Sequence, residues 1–383
     1  MLSLIGHTGH EERNEMINRL FTLSVAAASM LLSANTMAQG ILDGTLEEDW
    51  PEHSALQGIA TNFGNNDFGQ PGFCNGSELN AIHITKRDGF VVIFLAGNLE
   101  SNYNKLELFV DAREGGQNQL AHDNPDVDFD GLNRMGNSNE NATDGLKFDE
   151  GFEADIWITL TCGDDGNGGF VTYGTFSELR TTASEGTGFY LGSGSSGSDF
   201  INGENGIQIA IDNSNVDGVG SGIGSSCGDD VTTGIEIAIP EFVIDWDFEG
   251  NPIDDVKVMA FINGNGHDFI SNQVIPGIPP SDNLGDPRGI DFGIIPGLQY
   301  ASLDDVVTDC PSYSYGACCL GEVCAVVDQS NCIAGGGDYL GDDTFCEDGT
   351  CAAPECATDV NNDGKTDVDD LLELLSEFGE ICN

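Results

Sequence analysis

Residues 90–100 and 105–112 read F-V-V-I-F-L-A-G-N-L-E and K-L-E-L-F-V-D-A, two runs rich in β-branched and aromatic residues, separated by S-N-Y-N. Runs of this length and composition, closed by Asn, Ser and Gly, are strands rather than helices. The same character recurs at 81–85, 154–160, 206–211, 234–239 and 256–261. Ile207, Ile209, Ile211 and Ile235, Ile237, Ile239 alternate strictly, which predicts strands with one buried face. Gln208, Ala210, Glu236 and Ala238 fall on the other face. No amphipathic helical period is visible between Gln39 and Cys310, so many short strands with few helices predict a mainly β fold, a β-sandwich rather than an α/β sheet.

The opening I-L-D-G-T-L-E-E-D-W (41–50), the pair at 90–100 and 105–112, and G-I-E-I-A-I-P (234–240) resemble the jelly-roll sandwiches of family 9 carbohydrate-binding modules and DOMON-like domains. That resemblance implies a jelly-roll-like β-sandwich with a ligand-binding role. The match is scattered over strands, and it assigns no binding aromatic to a position here. The layout as a whole also resembles secreted proteins of aquatic bacteria.

Twelve Lys and Arg face 65 Asp and Glu, giving a formal net charge of -53. Nucleic-acid binding through phosphate neutralisation is excluded, and anionic membranes are equally poor partners. A surface this acidic suits a saline or calcium-containing medium, where cations screen it. With 39% hydrophobic residues the chain still carries enough apolar matter for a folded core.

Residues 20–32 form an apolar run of signal-peptide length, preceded by Arg19 and followed by Thr36-Met37-Ala38 as a small-residue cleavage site. The run is too short to span a bilayer. Glu11, Glu12 and Glu15 dilute the positive region expected before it, so translation starts at either Met1 or Met16. A secreted or cell-surface location follows, with 1–38 as signal and Gln39 as the first mature residue.

Cysteine usage agrees with export. Twelve cysteines would be idle in a reducing cytosol. Six cluster as C-C-x4-C-x7-C-x13-C-x4-C at Cys318, Cys319, Cys324, Cys332, Cys346 and Cys351, in a glycine-rich segment with too few apolar residues for a core of its own. Disulfides are expected to hold that segment (310–354), with fifteen pairings open. Zinc is the competing reading, disfavoured by the absence of histidine between Cys310 and Cys382. Cys356 and Cys382 bracket the C-terminal segment 355–383 and are expected to pair. Cys74, Cys162, Cys227 and Cys310 complete an even count that predicts no free thiol, and the repeated C-G-D-D at Cys162 and Cys227 suggests a disulfide between them.

Residues 359–370 read D-V-N-N-D-G-K-T-D-V-D-D. Oxygen side chains fall at loop positions one, three, five, nine and twelve, with glycine at six, the spacing of an EF-hand-type calcium loop. Asp359, Asn361, Asp363 and Asp370 would bind Ca2+ through side chains, Lys365 through its carbonyl and Asp367 through a water. From Val368 a helical period begins, placing Val368, Leu371, Leu372, Leu375 and Phe378 on one stripe, with Asp369 and Asp370 at its N-terminus. This loop and helix resemble a single repeat of a type I dockerin, a family that normally carries two. The resemblance implies docking to a cohesin-like or other cell-surface protein through that apolar stripe. The alternative is that calcium only staples the tail.

A second acidic loop, N-P-D-V-D-F-D-G, places Asp126, Asp128, Asp130 and Gly131 at the first calcium-loop spacings, with neutral Asn137 at position twelve. The competing reading is a strand whose Val127 and Phe129 point inward. Enzyme motifs fail. Gly224-Ser225-Ser226-Cys227-Gly228 lacks the strand–turn–helix context of a nucleophile elbow, and no Walker or dinucleotide fingerprint occurs. His53, His83, His122 and His267 stand apart in sequence, with His83 read as a strand surface residue. Trp50, Trp157 and Trp246 read as core more than as sugar platforms. Two function classes remain. One is a non-catalytic secreted protein with a β-sandwich binding domain (39–306) and a calcium-binding, docking tail. The other is a polysaccharide-acting enzyme or carbohydrate-binding module delivered by that tail.

Overall fold

A computed structural model of the chain describes residues 42–59, 61, 63, 77–125, 128–164, 170–194, 201–203, 205–215, 228–245, 253, 255–279, 283–309, 315–321, 323–342, 344–346, 350–351, 365 and 367–376. The protein is mainly β, in two units, Met1–Pro311 and Ser312–Asn383. The signal segment, the first acidic residue Asp126, and Cys74, Cys227, Cys310 and Trp246 lie outside the described residues.

In the first unit the chain runs β1 Ala55–Leu56, β2 Glu78–Arg87, β3 Phe90–Asn98, β4 Lys105–Asp111, α1 Gly131–Met135, β5 Ile156–Asp164, β6 Phe170–Glu178, β7 Gly188–Gly194, β8 Ile201–Asn202, β9 Gln208–Ile211, β10 Gly234–Pro240, α2 Glu241–Ile244, β11 Lys257–Asn263, β12 Ile270–Ile275 and β13 Ala301–Ser302. One antiparallel sheet has the order β1-β2-β3-β10-β9-β8, the other β12-β11-β4-β5-β6-β7, with β13 alongside β11. The β2–β3 hairpin turns at Asp88-Gly89, both at positive φ (52° and 81°), the geometry that matches strand twist in a two-residue turn.

The core is the interior between the sheets. Ile82, Ile84, Ile93, Leu95, Ile209, Ile235 and Ile237 of the first sheet meet Leu106, Leu108, Ile156, Ile158, Leu160 and Val258 of the second. Each such side chain contributes about 1.5–3 kcal/mol when fully withdrawn from water. At one edge Gln273 of β12 ties the sheets together. Its Oε1 accepts from Gln57 Nε2 (2.7 Å) and Leu79 N (3.1 Å), and its Nε2 donates to Ile59 O (3.1 Å).

The expectation of one solvated face per strand is corrected. Gln208, Ala210, Glu236 and Ala238 are buried. Ala238 packs with Val92 and Phe94 under Trp50 and Leu56, so the N-terminal segment forms an outer layer on the first sheet. Glu236 is tolerated there because its carboxylate accepts from Asp43 N (3.0 Å) and Arg87 Nη2 (2.9 Å), while burial pushes its pKa up to about 7. His83 is likewise buried rather than on the surface. Burial lowers its pKa to about 4, and Nδ1 contacts Pro51 O at 2.9 Å. The second sheet has its own outer layer: Phe109 packs on Phe148 (4.9 Å) and Phe261 on Phe292 (6.2 Å). Trp157 is buried on this face, and Trp50 on that of the first sheet, both in the core as expected.

In the second unit β14 Tyr315–Leu320, β15 Val323–Asp328 and β16 Asp338–Tyr339 form a small sheet ordered β15-β14-β16, with α3 Gln329–Ala334 and α4 Val368–Ser376. Three disulfides take up all six clustered cysteines, Cys318–Cys332, Cys319–Cys351 and Cys324–Cys346, which leaves no thiolate there for zinc. Cys318 and Cys319 are successive strand residues and so face opposite sides of β14. One ties α3, the other Cys351.

Candidate functional site

The outer face of the second sheet carries an unusual row. Period-two alternation that sends Leu106 and Leu108 into the core sends Lys105 and Glu107 outward on β4. Glu107 is fully buried there and accepts from Trp157 Nε1 (2.8 Å) and Asn263 Nδ2 (3.2 Å). The turn between β11 and β12 then delivers His267 onto it. His267 Nδ1 lies 2.6 Å from Glu107 Oε1, and Nε2 lies 2.9 Å from Asp128 Oδ2. Asp128 also takes Lys105 Nζ at 3.2 Å, and Lys105 donates to Thr161 Oγ1 at 2.7 Å.

This is an alternating chain of four charges, Glu107, His267, Asp128 and Lys105. Burial works against a charged imidazole, but the carboxylates of Glu107 and Asp128 outweigh it and hold the His267 pKa up at about 9. Both ring nitrogens therefore donate. Burial would raise the Asp128 pKa, yet His267 and Lys105 bring it below the usual carboxylate value. The start of α1 completes the packing: a Cβ on Gly131 would lie 2.2 Å from the His267 ring, so only glycine fits.

Above this floor is a cleft of about 320 Å³ with Tyr103, Phe129 and Arg134 among its walls. Phe129 is 95% exposed and Tyr103 43% exposed, whereas most large apolar side chains of the sandwich are buried. Arg134 Nη1 donates to Gly266 O at 3.0 Å. Among the described residues five non-glycine positions have positive φ; three of them, Tyr103 (69°), Phe129 (53°) and His267 (57°), line this cleft, and a fourth, Asp130 (66°), follows Phe129 in the chain. Left-handed backbone is costly for side-chain-bearing residues and concentrates at ligand sites.

Of the acidic loop at 126–131, residues 128–131 are described, and they correct the strand that was the competing expectation. Residues 128–130 make a turn into α1, and Phe129 points out rather than inward. Asp128 is already held by a lysine and a histidine, Asp130 Oδ1 accepts from Asn133 Nδ2 (3.1 Å), and Asn137 Oδ1 contacts His122 Nδ1 (3.0 Å). His267 is not isolated in space, and sequence reasoning missed it together with Tyr103, Lys105 and Glu107.

In the C-terminal repeat, Asp359, Asn361, Asp363, Phe378, Cys356 and Cys382 lie outside the described residues. Of the rest, Asp367 Oδ1 accepts from Asp369 N (2.9 Å), and Asp370 Oδ2 accepts from Asp367 N (2.7 Å). This reciprocal pattern starts α4 as a capping box would. Val368, Leu371, Leu372 and Leu375 are more than half exposed, and Asp370 is buried. Among the described residues no cluster of three or more His, Cys, Asp or Glu side chains is disposed to hold a metal. Cys162 is a free, buried thiol beside Thr172 Oγ1 (3.3 Å), which corrects both the expected Cys162–Cys227 bridge and the absence of free thiols. Among the described residues no helix is long and apolar enough to cross a membrane. Comparison with protein-family models and with curated proteins gives no match to the chain.

Proposed function

We propose that the chain is a secreted or cell-surface, non-catalytic glycan-binding protein. Its β-sandwich holds a sugar between Tyr103 and Phe129, and its C-terminal repeat binds Ca2+ and anchors it to a cohesin-like or other surface protein. The observation that carries this reading is the pairing of two exposed rings with a floor of mutually neutralised charges. A sugar offers apolar C–H faces to an aromatic ring and hydroxyl edges to polar groups, and a cleft with aromatic walls and a few fixed polar groups matches both. The polar groups are Lys105 on the floor and Arg134 on the wall.

Catalysis is a poorer match for the same residues. A general acid or base must exchange a proton with substrate, but His267 already donates at both nitrogens and Asp128 is held ionised by two cations. Such a quartet fixes the walls in place. The tail is supported by the ligand spacing of 359–370 and by the exposed stripe of Val368, Leu371, Leu372 and Leu375.

A glycan array probed with the mature chain, followed by a reducing-end assay on every hit, tests this reading. Binding without release of reducing ends is expected. Hydrolysis of a bound glycan would return the chain to the enzyme class.

A further inference from the structure

The outer face of the second sheet continues the cleft. Lys105 stands opposite Thr161 of β5, and Thr161 stands opposite Tyr173 of β6. Directly opposed residues project from the same face, so Tyr173 shares the row that holds Lys105. Thr175, next on that face, is opposite Tyr190 of β7. The Tyr103 ring covers Gly163, where a Cβ would come within 2.3 Å of it. Gly163 is two residues from Thr161, on the same face and diagonal to Tyr173.

Phe129, Tyr103, Tyr173 and Tyr190 therefore follow one another along a single face. Tyr173 and Tyr190 are 37% and 56% exposed, while Phe109, Trp157 and Phe261 on the same face are buried under the outer layer. With strands about 4.8 Å apart, Tyr173 lies two strands, about 10 Å, from Lys105, and β7 one strand further. The span exceeds a single sugar.

We infer that the ligand is an extended glycan chain, gripped in the Tyr103–Phe129 cleft and laid across Tyr173 and Tyr190 as a second subsite. This rests on the glycan reading of the cleft. The occupant is a sugar chain because the large side chains exposed on this face beyond the cleft are the tyrosines Tyr173 and Tyr190, each with a ring face and a hydroxyl, while Thr161 and Thr175 between them are buried. Tyrosine presents an apolar body with a wet tip, suited to a ligand that alternates in the same way.

Titration of cello-, xylo-, laminari-, manno- and alginate oligosaccharides, each from two to six sugars, into the mature chain tests the inference. Affinity for the bound series should rise with length. Tyr173→Ala with Tyr190→Ala should weaken the hexasaccharide about tenfold and leave the disaccharide unchanged, while Tyr173→Phe with Tyr190→Phe retains most of the affinity. Should the double alanine variant unfold, Tyr190→Ala alone carries the test, since that ring is the more exposed. Affinity independent of length, or unchanged in the folded alanine variants, overturns the second subsite and leaves the cleft. Absence of binding at every length overturns the cleft as well.

Discussion

The Tyr103 ring packs against Gly163, so close that a Cβ there would fall 2.3 Å from Cε1 and 2.7 Å from Cζ. The Tyr103 hydroxyl is tied to Asp164 O at 3.2 Å, so strand β5 positions the ring from beneath. Gly163 is not at positive φ, and its role is space rather than backbone freedom. Because Tyr103 is partly exposed, Gly163→Ala should push the ring aside without unfolding the sheet. The expected outcome is a thermal midpoint close to wild type and an affinity for glycan about tenfold weaker, about 1.4 kcal/mol. Unchanged affinity would mean that the ring does not touch ligand.

The quartet makes stability depend on alkaline pH. His267 has a folded pKa raised from 6.5 to about 9, so its contribution is complete below 6.5 and is lost as pH rises through 9. Denaturant titrations of wild type and His267→Gln should therefore converge between pH 6.5 and 9.5, by up to about 3 kcal/mol. Parallel curves would show that His267 is not held charged. His83 acts at the other end: its folded pKa is lowered to about 4, so stability is lost as pH falls from 6.5 to 4, and His83→Gln should remove that slope.

Much of the fold was legible in the sequence. Seven strands expected at 81–85, 90–96, 105–110, 154–160, 206–211, 234–239 and 256–261 lie on β2, β3, β4, β5, β9, β10 and β11. Their inner faces are continuous apolar alternations, which is the signal that alternation measures. β6 and β7 escaped because F-V-T-Y-G-T-F-S-E and G-F-Y-L-G-S-G interleave glycine, serine and threonine with their rings. β12, I-S-N-Q-V-I, escaped because Gln273 buries its polarity by bridging the sheets. The site was hidden for another reason: His267 lies 160 residues from Glu107 and 139 from Asp128. One clue was available in K-L-E-L-F-V-D, where Phe109 shares a face with Lys105 and Glu107. A phenylalanine among charges marks a covered face rather than a solvated one.

Burial raises the Cys162 thiol pKa to about 12, so it should resist alkylation in the folded protein and react only when the sandwich opens. Mass mapping after iodoacetamide treatment checks this, with Cys162 labelled in denaturant and unlabelled without it. A disulfide-linked Cys162 peptide would contradict the structure. The same map should return Cys318–Cys332, Cys319–Cys351 and Cys324–Cys346.

The tail should bind calcium. Calorimetry on the mature chain is expected to give an isotherm that Asp359→Ala with Asp363→Ala abolishes, because two of the side-chain ligands are then gone. Helix α4 has only 9 residues, marginal in water by itself, so chelation should also lower helicity in a peptide spanning 355–383. An unchanged isotherm after both substitutions would leave the tail without its metal.

The central claim is that Tyr103 and Phe129 bind a glycan. Titration of the tightest array ligand into wild type and into Tyr103→Ala with Phe129→Ala tests it directly. Both rings are exposed enough that their removal should spare the thermal midpoint. The account predicts binding weakened by a hundredfold or more, about 3 kcal/mol, with the fold intact. Equal binding by the two proteins would contradict it.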